Sequence, residues 1–137
     1  MTAASNYLEN KVLDHVLKNT AYSQPSSLYL ALFNNTSGSA ATNLEAGTLT
    51  DEVSTSGTAY TRKTVAFAAA SGGTAATSAT VTFDAATASW GSVTHVAIMD
   101  NSTSGNVLFW GAVTTPKTID TGDTFQVTSG NLTISLA

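Results

Sequence analysis

The sequence predicts a mainly β protein: an antiparallel β-sandwich, jelly-roll or Ig-like, of about seven or eight short strands preceded by one N-terminal amphipathic α-helix. Three observations predict it. Two apolar segments, Val93–Met99 and Asn106–Val113, are joined by the link Asp100-Asn101-Ser102-Thr103-Ser104-Gly105. Residues of that kind suit turns, so the pair reads as a β-hairpin. Short alternating runs flank this hairpin, separated by Gly, Asn, Asp and Pro. Helical spacing of apolar residues is confined to the N-terminus, where Leu8, Val12, Leu13, Val16 and Leu17 form one stripe. Both tryptophans, Trp90 and Trp110, fall within Ser89–Val113 together with Ile98, Leu108 and Phe109. That apolar payload makes the hairpin the expected centre of the sandwich.

Taken in order, the helix is expected from about Tyr7 to Lys18. Asn6 and Glu9 have the spacing of a capping box, Asp14 and Lys18 are one turn apart, and Asn19 is the expected stop. A helix this short is marginal alone, so its stripe must dock on the sheet or on a neighbouring subunit. After a connector holding Pro25, Ser27–Phe33 alternates with apolar residues on both faces, as in a central strand covered on both sides. One face is expected to hold the core and the other the N-terminal helix. From Asn34 to Thr58 the pattern dissolves into small polar residues, with Leu44, Leu49 and Val53 as anchors, and a long loop is expected. Ala59–Ala68 alternates again, Ala69–Thr77 reads as a small-residue link, and Ala79, Val81 and Phe83 share a strand face. Beyond the hairpin, Pro116 is expected to end its second strand. Phe125 and Val127 make a short strand, and Leu132, Ile134 and Leu136 alternate after the turn Ser129-Gly130-Asn131. The organisation is thus a single domain over 1–137, with a helical arm at 1–20 and a sandwich at 27–137 that carries the loop at 34–58.

Composition excludes several roles. The chain of 137 residues suits one domain, and its 10% of charged residues is well below the ~25% of an average one. Net charge is −4 and the five Lys and Arg residues are scattered, so no basic stripe suggests nucleic acid. The absence of cysteine rules out disulfides and thiolate metal sites. No apolar run approaches the ~18 residues of a membrane span, and the start does not resemble a signal peptide.

Catalytic constellations are equally absent. His15 lies on the polar side of the helix, and His95 shares a strand face with Val93, Ala97 and Met99. Neither has the neighbours of a metal motif. No Gly-x-Ser-x-Gly elbow occurs in a strand-to-helix setting. Asp51 and Glu52 are adjacent and point apart if extended, and Asp84 with Asp100 and Asn101 lacks calcium-loop spacing. The expectation is no enzyme, no cofactor and no metal. Trp90 before Gly91 and Trp110 before Gly111 read as core plugs, with glycine admitting a neighbouring backbone, rather than as sugar platforms. Phe109 and Trp110 must face opposite sides of their strand.

Several blocks carry a family resemblance. The opening Asn6–His15 (NYLENKVLDH), Leu28–Phe33 (LYLALF), Tyr60-x-Arg62, Ala88-Ser89-Trp90-Gly91 and Leu108–Ala112 (LFWGA) are similar to blocks found in the same order in small tailed-phage virion proteins. Members bear tail-fibre labels, and some resemble the cement proteins that decorate capsids of cyanobacterial siphophages. The resemblance implies a non-enzymatic structural role in the virion, on the capsid surface before the tail. It implies a homotrimer whose partners are itself and the major capsid protein, with no nucleic acid and no membrane. A cement protein clamping capsid subunits is the leading expectation. The alternative is a tail or tail-fibre component, or a receptor (carbohydrate)-binding module. The expected interface residues are Leu8, Val12, Leu13, Val16, Leu17, Leu44, Leu49 and Trp110, with Leu8→Asp or Val16→Asp expected to impair docking.

Overall fold

Alternation of β-branched and aromatic residues with small polar ones produces short strands, and turn chemistry sets where each stops. The computed structural model describes residues 3–136; Met1, Thr2 and Ala137, at the ends of the predicted arm and last strand, lie outside them. The order is β1 (Ala3–Ala4), α1 (Asn6–Leu17), β2 (Leu28–Phe33), α2 (Ala40–Glu45), β3 (Lys63–Val65), β4 (Thr74–Ala76), β5 (Val81–Thr82), β6 (Gly91–Met99), β7 (Val107–Ile119), β8 (Gln126–Val127) and β9 (Thr133–Ser135). A five-stranded sheet in the order β1-β7-β6-β2-β3 forms one layer. The ribbons β4-β9 and β5-β8 contribute the other, and every pairing is antiparallel. The mainly β sandwich with an N-terminal helix is therefore the fold. The expected hairpin is β6–β7, and β6 is the middle strand of its sheet.

The two faces of that sheet bury different sets. Leu30, Leu32, Val96, Ile98 and Leu108 join Val81, Phe83, Phe125 and Ile134 of the ribbons in the main core. Burial of each such side chain stabilises the fold by about 1.5–3 kcal/mol. Ala31, Phe33, Ala97, Met99 and Val107 form a second core with Leu44. So β2 is covered on both faces, as its double apolar pattern requires, but its outer cover is α2 rather than the N-terminal helix. The 34–58 stretch, expected as a loop, holds this helix and then pairs with the end of β2. Asn34 N–H donates to the Asp51 carbonyl at 2.9 Å, and Val53 N–H to that of Leu32 at 3.0 Å. The stretch escaped notice because one buried leucine, Leu44, cannot declare a helical period.

Two other boundaries differ from expectation. Strand β4 forms in what reads as a link, because β9 supplies a partner for residues of low strand preference. Pro116 does not end β7, which runs on to Ile119. Between the pairs His95–Ala112 and Val93–Lys117, residues 113–116 of β7 bulge opposite Thr94 alone. Proline is tolerated there because the bulge breaks the ladder that its missing N–H would have interrupted.

Candidate functional site

Two places stand out, a polar network at one hairpin tip and an apolar face on the N-terminal helix. The first is the tip of the β6–β7 hairpin. Asp100 closes the turn by accepting the Asn106 backbone N–H at 2.7 Å and its side-chain amide at 2.8 Å. Gly105 has φ +75°, and an added Cβ would sit 2.5 Å from Asp100 Oδ1, so only glycine fits. Arg62 then pins the turn to the sandwich. Its Nη1 donates to the carbonyls of Asn101 and Ser104 at 2.8 and 2.7 Å, while Nε and Nη2 grip Glu52 at 2.7 Å each. Tyr60 completes the network, donating to Glu52 at 2.8 Å and accepting from Leu32 N–H at 3.0 Å. Burial, with the Glu52 charge beside it, pushes the Tyr60 phenol far above its ordinary range. A pocket of about 230 Å³ lined by Thr55, Thr61 and Ser102 to Ser104 adjoins this network. The Arg62 and Tyr60 donors beside it are spent on Glu52 and on the turn carbonyls, which fastens the hairpin tip to the sandwich.

Asp51, adjacent to Glu52, points the other way, as expected of neighbours in an extended segment. It is 2% exposed and accepts Ser37 Oγ at 2.6 Å, Ser37 N–H at 2.9 Å and Thr36 Oγ1 at 3.2 Å. The Ser37 hydroxyl bond chiefly holds the carboxyl below its ordinary value, against the opposing effect of burial. A lowered folded-state pKa means stability present above the unfolded carboxylate value and lost as pH falls through the folded one. Unfolding free energy is thus expected to fall as pH drops from about 5 toward 2, with a shallower fall in Asp51→Asn. Denaturation midpoints across that range check it, and parallel curves for the two proteins would refute the role of Asp51.

His95 is half-buried, with Nδ1 2.8 Å from Thr94 Oγ1 and its ring 6.4 Å from that of Trp110. Burial lowers its pKa, partly offset by the Asp51 charge. His15 is exposed and its Nδ1 accepts Tyr22 N–H at 3.1 Å. No serine hydroxyl bonds either imidazole, and no cluster of three potential metal ligands exists among the described residues. Asp84 and Asp100 are engaged separately, Asp84 with Lys63 at 2.8 Å. No helix among the described residues is long and apolar enough to cross a membrane.

Trp90 is a core plug, 2% exposed, as read from the sequence. Gly91 follows it for a different reason than expected: its φ is +75°, and the nearest atom to an added Cβ is 3.9 Å away. Backbone conformation, not close approach, demands glycine there. Phe109 and Trp110 do face opposite cores, and the Trp110 indole donates to Glu45 Oε2 at 2.7 Å, tying β7 to α2.

The second place is α1. Its N-cap is Ser5, one residue before the predicted Asn6, because tertiary contacts hold Ser5 fully buried. Ser5 N–H donates to the Leu108 carbonyl at 2.9 Å, its hydroxyl donates to that of Val107, and Oγ accepts Leu8 N–H at 3.3 Å. Asn19, at φ +55°, terminates the helix as expected, with Thr20 N–H donating to the Asp14 carbonyl at 3.1 Å. Asp14 and Lys18 form no ion pair, and Lys11 instead lies 5.7 Å from the Tyr7 ring centre.

Only Leu8 of the stripe enters the core, at 6% exposed. Val12, Leu13, Val16 and Leu17 are exposed by 37, 54, 70 and 77%. Beside them an open, apolar groove of about 340 Å³ is lined by Leu8, Val12, Phe67, Ile134 and Leu136. A second hollow of about 390 Å³ lies along Ala4, Leu13 and Leu136. Of the eight expected interface residues, the structure therefore gathers Val12, Leu13, Val16 and Leu17 on one open face. Leu8 and Leu44 are consumed by the chain's own cores, Leu49 packs against the second core, and Trp110 is half-buried. Leu8→Asp would unfold the chain rather than test docking. Sequence reasoning missed the groove, whose walls come from segments far apart in the chain.

The profile of a family described as Podophage GP4 fiber I protein gp80 matches residues 3–135. A search of curated proteins finds no match.

Proposed function

The chain belongs to the Podophage GP4 fiber I protein gp80 family, and from that premise we propose that it is a non-enzymatic structural protein of the virion, built into or attached to a fibre. The observation that carries an assembly role is the α1 face: four large apolar side chains stand in water on a protein whose remaining surface is hydroxyl-rich and low in charge. Contiguous exposed apolar surface on a soluble domain marks a contact site. An assembled state would be stabilised by each contact that exists only there.

A second reading is the cement protein, clamping adjacent subunits of the major capsid protein. The sandwich favours it, since the described residues include no long extended or coiled-coil stretch of the kind that builds a fibre shaft. Sugar recognition through the tryptophans has less support, with Trp90 closed in the core and Trp110 bonded to Glu45.

Copy number in purified particles, by quantitative mass spectrometry against the major capsid protein, separates the readings. A few to a few tens of copies is expected and places the protein on a fibre. Parity with the capsid protein would support cement instead. Absence from the particle would overturn both.

A further inference from the structure

We infer that the pocket beside the β6–β7 hairpin tip is a binding site for a neutral sugar ring, held by a set of unengaged hydroxyl groups and by the Glu52 carboxylate. The site is separate from both tryptophans and from the α1 face, and it does not depend on where in the virion the protein is built in.

The hydroxyls are the first observation. Thr55, Thr61, Ser102, Thr103 and Ser104 line the pocket, and among the described residues none of their hydroxyl groups has a hydrogen-bond partner. Elsewhere the fold uses such groups. Thr36 and Ser37 donate to Asp51, and Thr87 Oγ1 donates to the Gly57 carbonyl at 2.9 Å. Around this hollow they are exposed and left over, and each can both donate and accept.

Glu52 adds a fixed acceptor. A carboxylate offers about four lone-pair sites. Tyr60 and Arg62 Nε occupy Oε1 and Arg62 Nη2 occupies Oε2, so a place on Oε2 remains. Glu52 lines the pocket with its side chain 18% exposed, within reach of an occupant.

The wall is also held still. Ser104 has φ +50°, a left-handed conformation that residues other than glycine rarely adopt and that recurs at binding sites. Arg62 fixes it through the Ser104 carbonyl, while Asp100 closes the same turn from the other side. A site formed in advance loses little freedom when it binds.

Charge and size select the ligand. Glu52 and Arg62 are the only charged residues among those described around the pocket, and they offset each other. An anion would meet a carboxylate whose cationic partner already has its donors turned to Glu52 and the turn. A calcium ion takes about six to eight oxygens, and one carboxylate stands here. A ring bearing several hydroxyls matches the mixed donors and acceptors. At about 230 Å³ the pocket is smaller than the ~300–1,000 Å³ of sites for drug-sized ligands, which limits it to one such ring. Tyr60, 1% exposed, offers no face for stacking, so each site binds weakly.

NMR titration of the whole chain with methyl glycosides of neutral hexoses, deoxyhexoses and N-acetylhexosamines tests this. Saturable shifts are expected for the amides of Thr55, Thr61 and residues 102–105, with a dissociation constant of about 1 mM for so small a ligand. Thr61→Val and Thr103→Val should each weaken binding about fivefold, the effect of one hydrogen bond, at an unchanged melting temperature. Methyl glucuronide, with its carboxylate, should bind more weakly than methyl glucoside. Tighter binding of the glycosides than of the reducing sugars would support a glycan end as the source, and the reverse a free sugar; both support the neutral ring. No saturable shift with any neutral sugar would overturn the site. So would binding undiminished in both valine variants, or tighter binding of the glucuronide. The structural role in the virion would survive each of those results, because copy number in particles decides it separately.

Discussion

Arg62→Ala is expected to lower the unfolding free energy by about 3–5 kcal/mol, the range for breaking a buried ion pair from one side. The guanidinium side chain is 3% exposed and Glu52 18%, so the carboxylate left behind has little water to replace its partner. Tyr60 would still donate to it, but two of its charge-assisted bonds would be gone. The carbonyls of Asn101 and Ser104 would also lose their Nη1 donor. The 100–106 turn would then be held by Asp100 and its own backbone. Faster amide exchange confined to that turn is expected at temperatures where the core stays protected. Arg62→Leu with Glu52→Leu together should cost less than Arg62→Ala alone, because no orphan charge remains. Urea denaturation gives the energies. An Arg62→Ala protein within 0.5 kcal/mol of wild type would show that the pair does not anchor the hairpin.

Trp90→Ala is expected to destabilise by a similar amount, about 3–5 kcal/mol, for a different reason. The indole sits at the junction of three rings, edge-on to Tyr60 at 5.5 Å and to Phe83 at 6.3 Å. Phe83 passes the contact to Phe125 at 5.8 Å. Removing it opens a cavity in the main core and forfeits edge-to-face attraction. The Thr58 carbonyl, which accepts the indole N–H at 2.8 Å, loses that donor in a buried place. Trp90→Phe keeps a ring but not the donor, and should fall between the two. Far-UV circular dichroism through a urea titration reads the series, since the midpoint moves while the slope stays constant in a two-state unfolding. A Trp90→Phe protein no more stable than Trp90→Ala would show that the hydrogen bond, rather than the packing, dominates.

These two residues show how unevenly the site was legible. Trp90 was readable as a plug because a large ring beside a glycine, ahead of a strand, has few other uses. Arg62 was visible only as one member of an alternating run and of a family block. Its four partner contacts come from residues 10 to 42 positions away, a separation at which sequence periodicity is silent. Glu52 and Asp51 were readable as pointing apart, yet not as one buried and one part-buried carboxylate with separate sets of donors.

The sequence by itself determined the period of each element. Alternation placed β2, β5, β6, β7 and β9, turn chemistry placed the hairpin link, and helical spacing placed α1. Periodicity reports which side of an element is apolar, because side chains project at fixed angles from the backbone. It does not report what covers that side. The tertiary structure decided that β2's outer face is closed by α2 rather than α1, and that β9 recruits β4. It also decided that Ser5, locked to β7, starts the helix in place of Asn6. It alone left Val12, Leu13, Val16 and Leu17 exposed, since of the stripe only Leu8 is buried in the core. An apolar stripe in a sequence is a demand for a partner, and only the packed chain shows which demands it has already met.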